Sequence, residues 1–311
     1  MHVSQTYGEI KHSLMQSGVF IPSDLLDQTD IARALSSSKS KNLITFAFCN
    51  DFFVKTFLTD HKGSSAKIRL HEESFMLQSE RMMVEVDVVP KPLFLSERKN
   101  HRDPISHSID LDGNCLNLFL RILKKSKFNL SLENSINIIQ SAFEEGVADL
   151  VQLNLDFYDA DDRGFFKLVP LIQDIRKKFS TFIGLRGFPP KNFRVIDFIY
   201  ASGVDLLNFP LEGFFESEKL KNFSPQIYAA LEYAVNIFPK GAICTELALG
   251  PVDPLKNKID RITSKGIIPQ IKLPQGINKE PTRITSLIEV AQHLTNAAMK
   301  HKLNLKWLYP T

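Results

Sequence analysis

The chain has 311 residues, 43% of them hydrophobic and 23% charged, and a formal net charge of +3. This composition supports a buried core and excludes a disordered or fibrous chain; the mixed, near-balanced charge excludes the basic footprint of a nucleic-acid binder. The length allows one large α/β domain or two modest ones. In chain order, helical patterns come first, over 7–16 and 24–35, the second with Ser23 placed as its cap after Pro22. The run Ser36 to Lys41 reads as a connection. Strand-like pieces follow at 43–49, 67–70, 75–78 and 82–89, where Val84, Val86 and Val88 alternate with Met83, Glu85 and Asp87 at the two-residue strand period. Pro90 and Pro92 end the last of them. Residues 1–105 are therefore expected to form a small α+β lobe without a catalytic motif.

From Ser106 the texture becomes regular. Strands are predicted at 108–112, 149–156, 181–186, 205–210, 242–249 and 267–273, and helices at 132–145, 165–179, 192–201, 224–238, 254–265 and 284–301. Ser131 and Ser224 supply helix caps, with Pro225 in the first turn of its helix. Gly146, Gly203 and Gly266 follow helices, where a left-handed residue closes the last turn. Strands alternating with helices form a parallel sheet, and right-handed crossovers restrict it to a doubly wound sheet or a barrel. The strands of a doubly wound sheet read apolar on both faces. Here Gln152, Asn154 and Asp156 alternate with Val151, Leu153 and Leu155, and similar alternation recurs in the other strands. The fold class expected is α/β: a TIM-type partial (β/α)6 barrel over 106–311, with a C-terminal helix and extension that packs Trp307 against it, beside the N-terminal lobe over 1–105.

Cys49, Cys115 and Cys244 are few, odd in number and far apart. They exclude a disulfide framework and fit a reducing compartment. No CxxC pair offers a zinc site. The first residues lack a charged stretch followed by an apolar one, and Asn50, Asp51 and Lys55 interrupt the apolar run over 43–58. A cytoplasmic protein with no membrane or nucleic-acid partner is expected, with a small-molecule ligand or a protein partner as the candidates.

The order of a strand, a loop holding Gly113-Asn114-Cys115, the helix beginning Leu130-Ser131-Leu132-Glu133, then Glu145-Gly146-Val147 and a second strand resembles the radical SAM superfamily, in particular its biotin-synthase-like members. Ala201-Ser202-Gly203-Val204-Asp205, Leu211-Glu212, Ala242 to Leu247 and Lys265-Gly266-Ile267-Ile268-Pro269 fit the same pattern, over 108–274. The resemblance implies a [4Fe–4S] cluster held by Cys-x3-Cys-x2-Cys and a site for S-adenosylmethionine. Only Cys115 matches that motif; Phe119 and Ile122 stand at the other two places, and Asp156-Phe157-Tyr158 replaces the methionine-binding stretch. One thiolate is too few to hold the cluster. The implied protein is a pseudoenzyme of that barrel, a small-molecule-binding or partner subunit without radical chemistry and with S-adenosylmethionine as a candidate ligand.

In barrels the function sits at the C-terminal mouth. Asp110, Asp112, Asn154, Asp156, Arg186, Asn208, Glu212, Glu246, Gln270 and Lys272 are expected to converge there, either as a ligand site or as an ion-pair network closing the barrel. Arg186, between Gly184 and Gly187, is the candidate anion anchor, its alternative being a salt bridge to Asp156 or Glu212. Lys272 is placed for imine chemistry or for pairing with Glu246. Asp110 and Asp112 form a carboxylate or metal site with Asp156, or cap a loop. The acids in Tyr158 to Gly164 read as the start of a helix. Two other function classes stand beside the pseudoenzyme: a redox-independent barrel enzyme, lyase or transferase, acting on an anionic metabolite, and a structural interaction protein.

Overall fold

The structure is a computed structural model that describes residues 10–11, 13–14, 17–36, 43–48, 52–60, 66–79, 83–89, 105–110, 117–122, 132–146, 148–212, 224–272 and 281–303. Cys49, Asp112, Cys115, Ser131 and Trp307 lie outside them. Strands β1 (Leu43–Phe48), β2 (Phe52–Phe57), β3 (Ala66–His71), β4 (Ser74–Ser79) and β5 (Met83–Val88) form an antiparallel sheet in the order β2-β1-β5-β4-β3. Helix α1 (Thr29–Ser36) lies before it in the chain. The two-residue alternation turns Ile44, Phe46 and Phe48 of β1 and Val54 of β2 into an apolar core that also takes Val19, Ile31, Ile68 and Leu77. Strand β2 is not among the strands the sequence predicts, because the polar stretch Asn50-Asp51 blurs where one strand ends and the next begins.

The second sheet has seven strands: β6 (Ile105–Asp110), β7 (Asn117–Ile122), β8 (Leu150–Leu155), β9 (Phe182–Arg186), β10 (Leu206–Asn208), β11 (Ile243–Ala248) and β12 (Ile268–Lys272). Their lateral order is β12-β11-β10-β9-β8-β7-β6, with β7 to β12 parallel and β6 antiparallel to β7. Between the parallel strands run α2 (Leu132–Glu144), α3 (Val169–Lys178), α4 (Arg194–Ala201), α5 (Ser224–Val235) and α6 (Val252–Ser264), and α7 (Pro281–Lys300) follows β12. The fold is therefore α/β with a parallel sheet. Because the strand order never reverses, crossovers of one hand put the helices on one face. Leu153, Leu155, Ile183, Leu185, Leu207 and Leu247 meet those helices through Ile139, Ile172, Ile196, Leu231 and Ile259.

Two sequence expectations are corrected here. In place of the strand expected at 108–112, Ile105–Asp110 is an edge strand running against the others, and the first parallel strand is β7, in the stretch after Cys115 where the sequence pattern predicts none. The helix expected over 165–179 is a 3-10 turn, Phe165–Lys167, followed by α3, because Pro170 has no amide hydrogen and sits best in a first helical turn. At the N-terminal ends of the strands Arg176 bonds the carbonyls of Gly203 and Thr181 and pairs with Asp205, whose carboxylate also accepts from the Ile183 amide. Among the described residues no helix is long and apolar enough to cross a membrane.

Candidate functional site

The polar face of the parallel sheet carries its chemistry at the C-terminal strand ends. Register sets Asn154 of β8, Arg186 of β9 and Asn208 of β10 side by side, while Glu246 of β11 stands level with Gln270 of β12. Arg186 donates from Nε to Glu246 Oε1 at 2.7 Å and from Nη2 to Glu246 Oε2 at 2.8 Å, the fork-on-fork geometry of a strong pair. Asn208 Nδ2 donates to Glu246 Oε1 at 3.3 Å and to Gln270 Oε1 at 3.2 Å. Lys272 Nζ lies 3.7 Å from Glu246 Oε1. One buried carboxylate on β11 thus gathers a guanidinium, an amide and an ammonium from three other strands, β9, β10 and β12.

Burial and charge work against each other here. Glu246 is 3% exposed and Asn208 4%. Burial pushes the Glu246 carboxyl up, but the Arg186 hydrogen bonds and charge, with Lys272 and Asn208, outweigh it and hold it below its ordinary value. Burial likewise opposes the Arg186 charge, and Glu246 together with the charge of Asp156 more than restores it. Cys244, one turn of the pleat below Glu246, is buried; desolvation and the Glu246 charge push its thiol up to about 12. That thiol is no nucleophile at neutral pH.

Two glycines make the approach of these side chains feasible. A Cβ on Gly184 would meet Gln152 Oε1 at 3.0 Å, so the bare backbone gives Gln152 its place across the sheet. A Cβ on Gly187 would meet Phe165 Cε1 at 2.8 Å, so the chain leaving Arg186 can turn over that ring only without a side chain. The Gly187 amide donates to Asn208 O, which ties the end of β9 to the end of β10.

The loops after β8 and β9 form an aromatic rim. Phe157 and Phe188 meet edge to face at 5.2 Å, and the Arg163 guanidinium lies 4.8 Å over the Phe157 ring. Arg163 is buried, has a left-handed φ of 54°, and donates to Pro189 O and Tyr158 O at 3.3 Å each. Sequence reasoning missed Gln152, Phe157, Phe188 and Arg163 as parts of the site. The strand alternation marks Gln152, but no local signal marks a loop arginine that folds back on its own aromatic neighbour. Asp162 caps the following 3-10 turn, accepting from the Gly164 and Phe166 amides, as the start-of-helix reading of that acidic loop requires.

The sequence candidates separate into groups. The structure brings Arg186, Asn208, Glu246, Gln270 and Lys272 into one cluster; Asn154 stands beside Arg186 in register, and Asp156 acts on Arg186 through its charge. The partner of Arg186 is Glu246, neither Asp156 nor Glu212. Glu212 turns away: it pairs with Lys258 and accepts from the Ala248 amide, which pins the chain after β10 to β11 and α6. Asp110 is corrected. It pairs in register with Asn117, which lies opposite Leu150 at the N-terminal end of β8, so the reversed direction of β6 puts it at the other end of the sheet from the Glu246 cluster. It does not share a site with Asp156. Asp112 and Cys115 fall in the connection between β6 and β7, outside the described residues. Among the described residues no group of three His, Cys, Asp or Glu side chains is placed to hold a metal ion.

No family model matches the chain, and no curated protein matches it in sequence. Among solved structures it is similar to dihydropteroate synthases. That of Yersinia pestis with a pterine–sulfa conjugate is 17% identical, covering 56% of this chain and 65% of that one with a TM-score of 0.35. That of Xanthomonas albilineans, in complex with indole-2-carboxylic acid and 6-chloroguanine, is 15% identical, with 58% and 65% covered and a TM-score of 0.35. That of Coxiella burnetii with pteroic acid is 13% identical, with 60% and 92% covered and a TM-score of 0.29. The chain spans 65% of the length of the first two. The radical SAM resemblance is overturned by the strand order. The segment after Cys115 is the parallel strand β7, so Phe119 and Ile122 are ladder residues paired with Gln152 and Leu155, not positions in a cluster-binding loop. With it falls the reading of the chain as a degenerate radical SAM barrel binding S-adenosylmethionine.

Proposed function

We propose that residues 106–311 form a partial (β/α)6 barrel, with 1–105 a separate lobe, and that its C-terminal mouth binds an anionic metabolite for redox-independent chemistry of the lyase or transferase class. The unreversed strand order and the polar face opposite the helices support the curled sheet. The observation that carries the function is the cluster around Glu246. Its carboxylate is buried, while the cations it holds reach solvent in part: Arg186 at 30% and Lys272 at 46% of their side chains. A molecule arriving at the strand ends meets guanidinium and ammonium donors already oriented by Glu246 and Asn208. Only Nε and one hydrogen of Nη2 are committed to Glu246, so the rest of the Arg186 fork is left for a carboxylate or phosphate.

The test is a calorimetric screen of phosphorylated and carboxylated metabolites against neutral analogues of the same size. Saturable binding of at least one anion, weakened tenfold or more in Arg186→Gln and in Lys272→Met, is the expected result. Binding confined to neutral compounds, or anion binding untouched by both substitutions, sinks the assignment.

A further inference from the structure

Two acceptors in this mouth have no donor. Asn208 Oδ1 and Asn154 Oδ1 are both out of solvent contact and neither receives a hydrogen bond. Buried polar atoms are nearly always paired, so each such exception calls for an explanation. A third such atom among the described residues, Gln78 Oε1, lies in β4 of the antiparallel sheet, but these two stand together. They belong to the strands on either side of Arg186, in register with it and on the same face.

The orientation of Asn208 leaves no freedom to repair this by turning the amide over. Its nitrogen donates to both Glu246 and Gln270, and exchanging the ends would press the amide oxygen against the Glu246 carboxylate. Asn154 is the opposite case. No hydrogen bond holds its carboxamide, and the residue is only half-buried, so a rotation about its last torsion presents either end to the mouth. The protonated Arg186 between them excludes a cationic donor such as an ammonium. What remains is a neutral donor, an N–H or an O–H; a carboxamide supplies one together with an acceptor on the same group, which matches an Asn154 amide that can turn either end outward.

We propose that the ligand of this mouth is an anion that also carries neutral N–H donors, a carboxamide or an amino-substituted carbonyl compound, its acid on Arg186 and Lys272 and its N–H groups on Asn154 and Asn208. This rests on the anion-binding reading above and narrows it to a substrate class. A ligand amide meeting the Asn154 carboxamide gives and receives one hydrogen bond each, and a donor reaching Asn208 Oδ1 pairs the acceptor that the Glu246 network leaves open.

Isosteric pairs test it. Succinamate and levulinate differ only in an NH2 against a CH3 beside the same carbonyl, and phosphonoacetamide and 2-oxopropylphosphonate differ in the same way. The full chain is titrated with all four by calorimetry. The amide of at least one pair is expected to bind about five- to tenfold tighter than its methyl ketone, the ratio falling to about one in Asn154→Leu. Equal affinities within both pairs in the unsubstituted protein overturn the inference and leave the anion site standing; that comparison needs no variant to fold. A preference that survives Asn154→Leu unchanged overturns the assignment to these side chains. Failure of all four to bind, when the wider anion screen also fails, removes both readings together.

Discussion

Strand β1 of the antiparallel sheet turns Ile44, Phe46 and Phe48 into its core at 2% exposure or less, and strand β11 of the parallel sheet turns Glu246 to the same depth, 3%. In the first sheet the one described polar residue buried as deeply, Thr56, is neutral and donates to Leu14 O at 2.7 Å. In the second, a charge is kept at that depth by the guanidinium, ammonium and amide around it. A buried ion pair is poor evidence for stability, since apolar replacements are often neutral or better. Its place at the strand ends, with its cations partly exposed and Asn154 and Asn208 incompletely paired, is what the proposed anion site would account for. The contrast teaches where packing suffices and where chemistry has displaced it.

The comparison breaks most sharply on Glu246. Glu246→Ala leaves Arg186 without its partner and is expected to cost about 3–5 kcal/mol in denaturant unfolding. The double change Arg186→Met with Glu246→Leu is expected to recover most of that loss, because both charges are gone. A double variant no better than the worse single one would mean that the pair contributes net stability. In the other sheet Phe46→Ala is expected to cost about 3–4 kcal/mol from lost packing and the cavity left behind, and this cost should be the same at every pH where the protein folds.

Acid sharpens the distinction. The Glu246 carboxyl is held below its ordinary 4.5, so its pairing contributes stability that is fully present above that pH and is lost as pH falls through the lower folded value. The stability gap between the unsubstituted chain and Glu246→Gln should narrow below pH 4.5, and the gap for Phe46→Ala should not. A smaller effect is expected from Thr56→Val, about 1 kcal/mol for the hydrogen bond to Leu14, read from the unfolding midpoint. Smallest of all, Cys244 should resist alkylation at pH 8 until the sheet unfolds, since burial and Glu246 keep its thiol up at about 12. Modification of the native protein at Cys244 would show that the mouth opens more deeply than the structure describes.

Much of the second sheet is written locally. The alternation from Val151 to Leu155 puts Gln152 and Asn154 on one face whatever lies beside them, because successive strand residues point to opposite sides. The same period places Arg186 with Gly184, Glu246 with Cys244, and Lys272 with Gln270. What no local pattern contains is which strands are neighbours and which way each runs. Residues 105–110 read as a strand from either direction, and only pairing with β7 makes β6 antiparallel and takes Asp110 to the far end. The bond between Arg186 and Glu246 spans 60 residues and exists because β10 places only one strand between β9 and β11. Side-chain periodicity thus determined the two faces from sequence alone, since it depends on the backbone of a single strand. Lateral order, strand direction and the partners at the mouth were decided by the tertiary structure, since they depend on hydrogen bonds between segments far apart in the chain.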